Sequence, residues 1–212
     1  ELEKAREAGV QLSDAQANMA REFVTSDRLL ALGIGPAGAG KTSLTRLVVA
    51  TATASGHQVF GVAPTAAAAD VMGDSMGITA TTVDAFLMAE RSPLGVGDVL
   101  MVDEIGMVAT PKLAQLVATA EAAGAVVRGV GDDRQLAAIG SGGALRMIDN
   151  AAPLSRLEEV YRFRNPNDPG QVNEAEVAAS LVLREPPVTG EDRPFQWYVA
   201  NGRVRAGEED TV

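Results

Sequence analysis

Gly35-Pro36-Ala37-Gly38-Ala39-Gly40-Lys41-Thr42 reads G-P-A-G-A-G-K-T and satisfies the phosphate-loop pattern G-x-x-x-x-G-K-S/T at every fixed position. Average residue frequencies place that pattern by chance in on the order of 1% of chains this long. The flanks sharpen the reading. Leu29-Leu30-Ala31-Leu32-Gly33-Ile34 is a short apolar run fit for a buried strand, and Ser43 to Ala54 is compatible with a helix. Strand, glycine loop and helix together are the context the motif needs. In such a unit the N–H groups of Gly38, Ala39, Gly40 and Lys41 point into one concavity at a helix N-terminus, where phosphate oxygens are neutralised. Lys41 would reach the β- and γ-phosphates as a point charge, and the Thr42 hydroxyl would be a magnesium ligand. The expected cofactors are a nucleoside triphosphate and Mg2+.

About sixty residues later, Val99-Leu100-Met101-Val102-Asp103-Glu104 sets two carboxylates at the end of an apolar strand. In open α/β sheets that edge is where ligands sit. Asp103 would hold magnesium, and Glu104 would accept a proton from the water attacking the γ-phosphate. Neighbouring strand residues point opposite ways, so both serve one site only if the strand ends there; Ile105-Gly106 supplies the ending. Gly131-Asp132-Asp133-Arg134-Gln135-Leu136 follows a further apolar strand and opens at the same edge, and by itself it is a weak signal. A glutamine there can bond a γ-phosphate oxygen and hold the attacking water.

Composition bounds the remainder. The 212 residues suffice for one domain with an appendage, and 18 basic against 28 acidic residues leave a net charge of −10. That balance argues against coating nucleic acid by bulk electrostatics, though not against a local basic track. No apolar run approaches a membrane span and no signal peptide opens the chain, so no membrane partner is expected. The absence of cysteine excludes disulfides and fits a reducing cytoplasm. The chain begins at Glu1 rather than Met, which reads as a piece of something longer.

Along the chain, Ser13 is a good N-cap for a helix reaching Thr25, and Gln58 to Ala63 reads as a strand stopped by Pro64. Thr65 to Met72 and Thr82 to Glu90 read as helices, with Thr81 or Thr82 as an N-cap of the second. Asp98 to Val102 is a strand, Pro111 opens a helix closed by Gly124, and Ala125 to Val130 is another strand. Gly142 to Asn150 reads as a short helix. Asn165 to Gly170 reads as a turn-rich linker and Gln171 to Arg184 as a helix. The methionines look like core filling, and Arg46 reads as the partner of a surface carboxylate. Strands apolar on both faces and separated by helices imply a parallel α/β sheet covered on both sides.

The order and spacing of these motifs resemble superfamily 1 DNA helicases, most of all the RecD-like branch that includes the helicase part of MobF-type conjugative relaxases. The resemblance covers about Leu12 to Arg164 and implies an α/β P-loop NTPase (RecA-like) fold. Leu12-Ser13-Asp14-Ala15-Gln16 is similar to the family's glutamine motif, so Gln16 would bond the adenine edge. Gly35 to Ser43 corresponds to its motif I, which adds Ser43 to the nucleotide-binding residues, and Val102 to Met107 corresponds to motif II. Gly131 to Arg146 is similar to motif III, so Gln135 would sense the γ-phosphate. Leu157-Glu158-Glu159-Val160-Tyr161-Arg162 is similar to motif IV, so Arg162 would touch that phosphate in the closed state. Pro64-Thr65 is similar to motif Ia, and Thr82 lies where the family has its next DNA-contacting segment. Both imply contact with the backbone of single-stranded DNA.

The resemblance implies an ATP-binding and hydrolysing motor domain over residues 1–164, the first of two in its parent. Residues 165–212 would be a linker and the start of a following subdomain or tail. The implied partners are single-stranded DNA and the remaining domains of the parent, with no processive unwinding by this piece alone. The competing expectation is a nucleotide-binding assembly or DNA-docking module without turnover of its own. A small-molecule P-loop kinase fits less well, because no lid of basic residues can be read.

Overall fold

Strands without a polar face must lie between two layers of helices, and the computed structural model has that arrangement. It describes residues 12–133, 145, 148, 154–161, 163–165, 168–183 and 193–204. The chain divides into two compact units, one ending at Glu159 and one beginning at Val160.

In the first unit, α1 (Asp14–Thr25) precedes β1 (Leu30–Ile34), and α2 (Lys41–Ala54) leads to β2 (Val59–Ala63). Next come α3 (Ala66–Met76), β3 (Thr79–Thr82), α4 (Val83–Met88) and β4 (Val99–Val102). A single 3-10 turn (Ile105–Met107), α5 (Thr110–Ala123), β5 (Val126–Gly131) and β6 (Ser155–Arg156) complete it. Among the described residues the sheet runs β3-β2-β4-β5-β1-β6, and every neighbouring pair is parallel. Side-chain alternation splits each strand between two cores. Val99 and Met101 pack with Met19 and Phe23 of α1, Leu44 and Val48 of α2, and Met72 of α3. Leu100 and Val102 pack on the other face with Phe86 of α4 and Leu113 and Leu116 of α5. The expected doubly covered α/β sheet is therefore present, with Gly77 and Gly124 ending α3 and α5 in the left-handed conformation.

Three features depart from expectation. The edge strand β3 was not anticipated, because T-A-T-T lacks an apolar run; its threonines suit a half-covered edge strand. Among the described residues Arg46 pairs with no carboxylate but donates from Nε to the Ser75 carbonyl (2.8 Å), a C-terminal carbonyl of α3 that lacks a helical partner. Met88 and Met107 are 83% and 43% exposed rather than core filling.

In the second unit, β7 (Arg164–Asn165) and β8 (Asp168–Val172) form an antiparallel pair, followed by α6 (Glu174–Val182) and α7 (Arg193–Ala200). Much of the stretch expected as a linker is thus a hairpin, and Gln171-Val172 belong to its second strand rather than to a helix. Asn173 caps α6 by accepting from Glu176 N–H, and Arg203 pairs with the buried Glu176 at 2.7 Å. Trp197 and Tyr198 meet edge to face on α7. Among the described residues no helix is long and apolar enough to cross a membrane.

Candidate functional site

Because all six strands run the same way, the segments that follow them emerge on one edge of the sheet. That edge gathers Gly35 to Gly40, Pro64-Thr65, Thr82, Asp103-Glu104, Asp132-Asp133 and Leu157.

The loop between β1 and α2 is shaped by its glycines. Gly38 and Gly40 have φ of 85° and 80°, which residues with a Cβ adopt only under strain. Gly35 N–H extends the ladder to Gly131 O (3.0 Å), and Ala39 N–H closes a turn onto Pro36 O (3.1 Å). A Cβ on Gly35 would lie 2.9 Å from that of Leu157, so the segment after β6 leaves no room for one. Lys41 Nζ donates to the carbonyls of Gly35 (2.8 Å) and Pro36 (3.2 Å), which holds the ammonium across the loop. Gly35 and Pro36 are buried, while Thr42 and Ser43 are exposed in the first turn of α2.

Asp103 N–H still bonds Val62 O (3.0 Å), continuing the β4 ladder by one residue. Glu104 then turns into the left-handed region at φ 45°, ψ 46°, alone among the described non-glycine residues. That turn resolves the strand-parity problem, since it frees the second carboxylate from the opposite-face rule. Asp103 Oδ1 accepts from Glu104 N–H (2.9 Å). Burial pushes the Asp103 carboxyl above its ordinary value, and that hydrogen bond and Lys41 oppose the shift. Burial also raises Glu104, the Asp103 and Asp132 charges add to it, and Lys41 opposes it. The ammonium and the carboxylates therefore share one electrostatic neighbourhood.

A left-handed non-glycine residue costs about 1–2 kcal/mol, and such strain concentrates at functional sites. Glu104→Gly is thus expected to raise the melting temperature by about 2–4 °C while removing the carboxylate. Calorimetry on the purified variant measures the shift, and a lower melting temperature would refute the assignment of strain.

Two side chains at this edge had no role in the sequence reading. Asp132 is 2% exposed and lies close enough to Glu104 to raise it. Arg156 pairs with Asp133 at 3.1 Å, joining the ends of β6 and β5. Parity along a parallel strand followed by two aspartates was the available signal for Asp132.

Gln16 is buried within a capping box at the start of α1: Ser13 N–H donates to its Oε1 (2.9 Å) and Ser13 Oγ accepts from its N–H (3.3 Å). Its Nε2 donates to Ala39 O in the phosphate loop (2.8 Å). At the other side of the edge, Ala63 pairs with Thr82, bringing Pro64-Thr65 and Thr82 alongside each other. Thr65 Oγ1 accepts from Ala68 N–H (3.2 Å) and Thr82 Oγ1 from Ala85 N–H (3.1 Å), so both hydroxyls cap helices. Asp84 just beyond is paired with Lys112 at 2.5 Å. Gln135 and Arg162 lie outside the described residues, as does most of the helix expected from Gly142 to Asn150.

Comparison with known proteins agrees with this architecture. The family described as AAA domain matches residues 11–209. A "Probable conjugal transfer protein TraA" of Sinorhizobium fredii is 34% identical over 210 residues, which is 98% of this chain and 18% of that protein. The "ATP-dependent RecD2 DNA helicase" of Deinococcus radiodurans is 34% identical over 192 residues, 86% of this chain and 25% of that protein. The chain thus spans a quarter or less of the length of these curated relatives. The crystal structure of Pif1 helicase from Candida albicans superposes with a TM-score of 0.64 at 18% identity, over 94% of this chain and 50% of that one. Bacteroides Pif1 bound to ssDNA gives 0.51 at 16% identity, over 94% and 57%. At such identities the solved structures speak for the fold alone. Phosphate loop, acidic strand end and parallel sheet agree with the family match, and the chain belongs to the AAA-domain family as a motor domain of the superfamily 1 helicases.

Proposed function

We propose that this chain is the ATP-binding and hydrolysing motor domain of a DNA helicase or translocase, part of a longer conjugative relaxase-helicase or repair helicase. The observation that carries the reading is that the glycine-shaped loop, with Lys41 Nζ held on the Gly35 and Pro36 carbonyls, lies at the same sheet edge as Asp103 and Glu104. The loop N–H groups and Lys41 bind and orient the triphosphate, with Gly35 to Ser43 forming the cradle. Thr42 and Asp103 are hard oxygen donors suited to Mg2+. No cluster of three or more acidic, histidine or cysteine side chains among the described residues could hold a metal alone, so phosphate oxygens and water would complete the shell. The ion, when bound, supplies charge neutralisation on the phosphates. Glu104 accepts the proton of the attacking water.

By resemblance, Gln135 and Arg162 sense the γ-phosphate. Pro64, Thr65 and Thr82 contact single-stranded DNA, with helix N-termini meeting its backbone. The other partners are the remaining domains of the parent, and the compartment is the cytoplasm. The second reading is a nucleotide-binding assembly or DNA-docking module without turnover of its own.

The test is ATP hydrolysis at low salt, with and without single-stranded DNA, beside Lys41→Ala and a metal-chelated control. Turnover that DNA stimulates and that both controls abolish is the expected result. Tight nucleotide binding with no turnover under any condition would favour the docking module, and no binding at all would sink both.

A further inference from the structure

We infer that Ile105 is a positioning residue for Glu104: its side chain, seated on the bare backbone of Gly129 and Gly131, holds the left-handed turn that delivers the carboxylate to the sheet edge. This role rests on the reading of Glu104 as the general base and deepens it. Strand parity shows what the turn does. Val99 and Met101 face one core, and Leu100 and Val102 face the other. Continued straight, β4 would send residue 104 to the face of Leu100 and Val102, and residue 105 to the face of Val99 and Met101. Ile105 instead packs in the cluster of Leu100 and Val102 and is 1% exposed. Glu104, left-handed at φ 45°, makes that exchange. The isoleucine enters the core on the face that a straight strand would give to the glutamate.

The neighbouring strand is built to receive it. Gly129 pairs with Val102 at the end of β4, and Gly131 lies two residues further along the same face of β5. A Cβ on Gly129 would meet Ile105 Cδ1 at 2.5 Å, and one on Gly131 would meet Ile105 Cγ2 at 3.0 Å. The Gly131 Cβ would also meet the backbone nitrogens of Ile105 (3.1 Å) and Gly106 (3.3 Å), so the turn itself rests on the strand. Neither glycine has a positive φ, so each supplies room for its neighbour rather than an unusual backbone conformation. Glycine inside a strand marks such close approach of another segment. Burying a whole isoleucine side chain gains more than one left-handed residue loses, so the seat can hold the strain. Without the seat Glu104 relaxes toward ordinary φ and its carboxylate leaves the edge.

Two double-mutant cycles test the seat. The first is thermal: calorimetry gives the melting temperature of each variant with Glu104 and with Glu104→Gly. In the unsubstituted chain Glu104→Gly is expected to gain about 2–4 °C, but in Ile105→Ala or Gly131→Ala less than about 1 °C, because the turn has already relaxed. Gly131→Ala takes nothing from the core and keeps the carbonyl that Gly35 N–H bonds, so it serves if Ile105→Ala does not fold. Val48→Ala, which empties the core on the opposite face of the sheet, is expected to keep the full gain. The second cycle is kinetic. Ile105→Ala and Gly131→Ala are expected to slow single-turnover hydrolysis about tenfold or more, with MgATP affinity within about threefold. In a Glu104→Gln background the same substitutions should cost less than about twofold, since the base they position is gone.

A gain from Glu104→Gly that persists in the folded seat variants would overturn the inference. So would turnover losses that multiply with that of Glu104→Gln, the mark of general damage rather than of a displaced base. No gain in the unsubstituted chain would remove the strain and the inference together. An unsubstituted chain that turns over no ATP, even with single-stranded DNA, overturns the hydrolysis reading alone. The thermal cycle then still decides whether Ile105 holds the turn.

Discussion

Glu104→Gln is expected to bind MgATP within about threefold of the parent chain while turnover falls by about 10²- to 10⁴-fold, the usual contribution of a positioned general base. The amide keeps the size of the carboxylate and the left-handed backbone, but it cannot accept a proton at neutral pH. It also removes a negative charge beside Asp103 and Asp132, both of which push the Glu104 carboxyl upward, so binding of an anionic ligand has no reason to weaken. Lys41→Ala is the contrasting variant. It deletes the ammonium that spans the loop carbonyls and opposes the carboxylate charges, so affinity and turnover should fall together. Equilibrium binding paired with single-turnover hydrolysis separates the two patterns. Undiminished turnover in purified Glu104→Gln would remove Glu104 from the chemistry.

The largest effect on stability is expected from Arg128→Met. Arg128 is 1% exposed on β5, and its guanidinium donates to four carbonyls, those of Phe23, Ser26, Arg28 and Val127. Burial pushes the guanidinium below its ordinary value and Glu22 opposes the shift, yet an arginine remains charged. Methionine fills much of the volume but leaves buried carbonyls without a donor. Losing one partner of a buried charged network costs about 3–5 kcal/mol, which corresponds to roughly 10 °C in Tm for a unit of this size. Arg128→Lys restores the charge but not the fork of donors, so it should recover less than half of the loss. Denaturant unfolding followed by circular dichroism measures both variants, and a cost below about 1 kcal/mol for Arg128→Met would show that the carbonyls find other partners.

Arg128 also marks where sequence reasoning stopped. Ala125 to Val130 reads as an apolar strand, and the arginine within it passes unnoticed, although a cation in a strand covered on both sides must have buried acceptors. Three of its four acceptors lie about a hundred residues away, at and just beyond the end of α1, and no local pattern points to them. What was legible depended on short-range physics. The glycines of the phosphate loop, Ser13 as an N-cap and the apolar run of Asp98 to Val102 each report their own backbone. They therefore anticipated β1, α1 and β4 within a residue or two. The edge strand β3 escaped because its pairing with β2, rather than its own composition, makes it a strand. The hairpin of Arg164 to Val172 escaped for the same reason, since turn residues were read without the strands that frame them. In the candidate site, spacing brought Lys41, Asp103 and Glu104 to one edge. The left-handed turn at Glu104 and the contact of Gln16 with Ala39 are three-dimensional facts that no residue type announces.

The guanidinium staple has a consequence for the order in which the molecule is made. It joins residues 105 apart, so α1 leaves the ribosome long before the strand that holds its end exists. Closing so long a loop costs chain entropy that only the paired sheet can offset. During synthesis the C-terminal end of the helix therefore stays without this anchor until β5 has emerged and joined β1, although Met19 and Phe23 can already pack on α2. The phosphate loop gains its own bond to that strand only then, since Gly35 N–H donates to Gly131 O. A nucleotide that binds the finished cradle then stabilises the folded sheet by mass action.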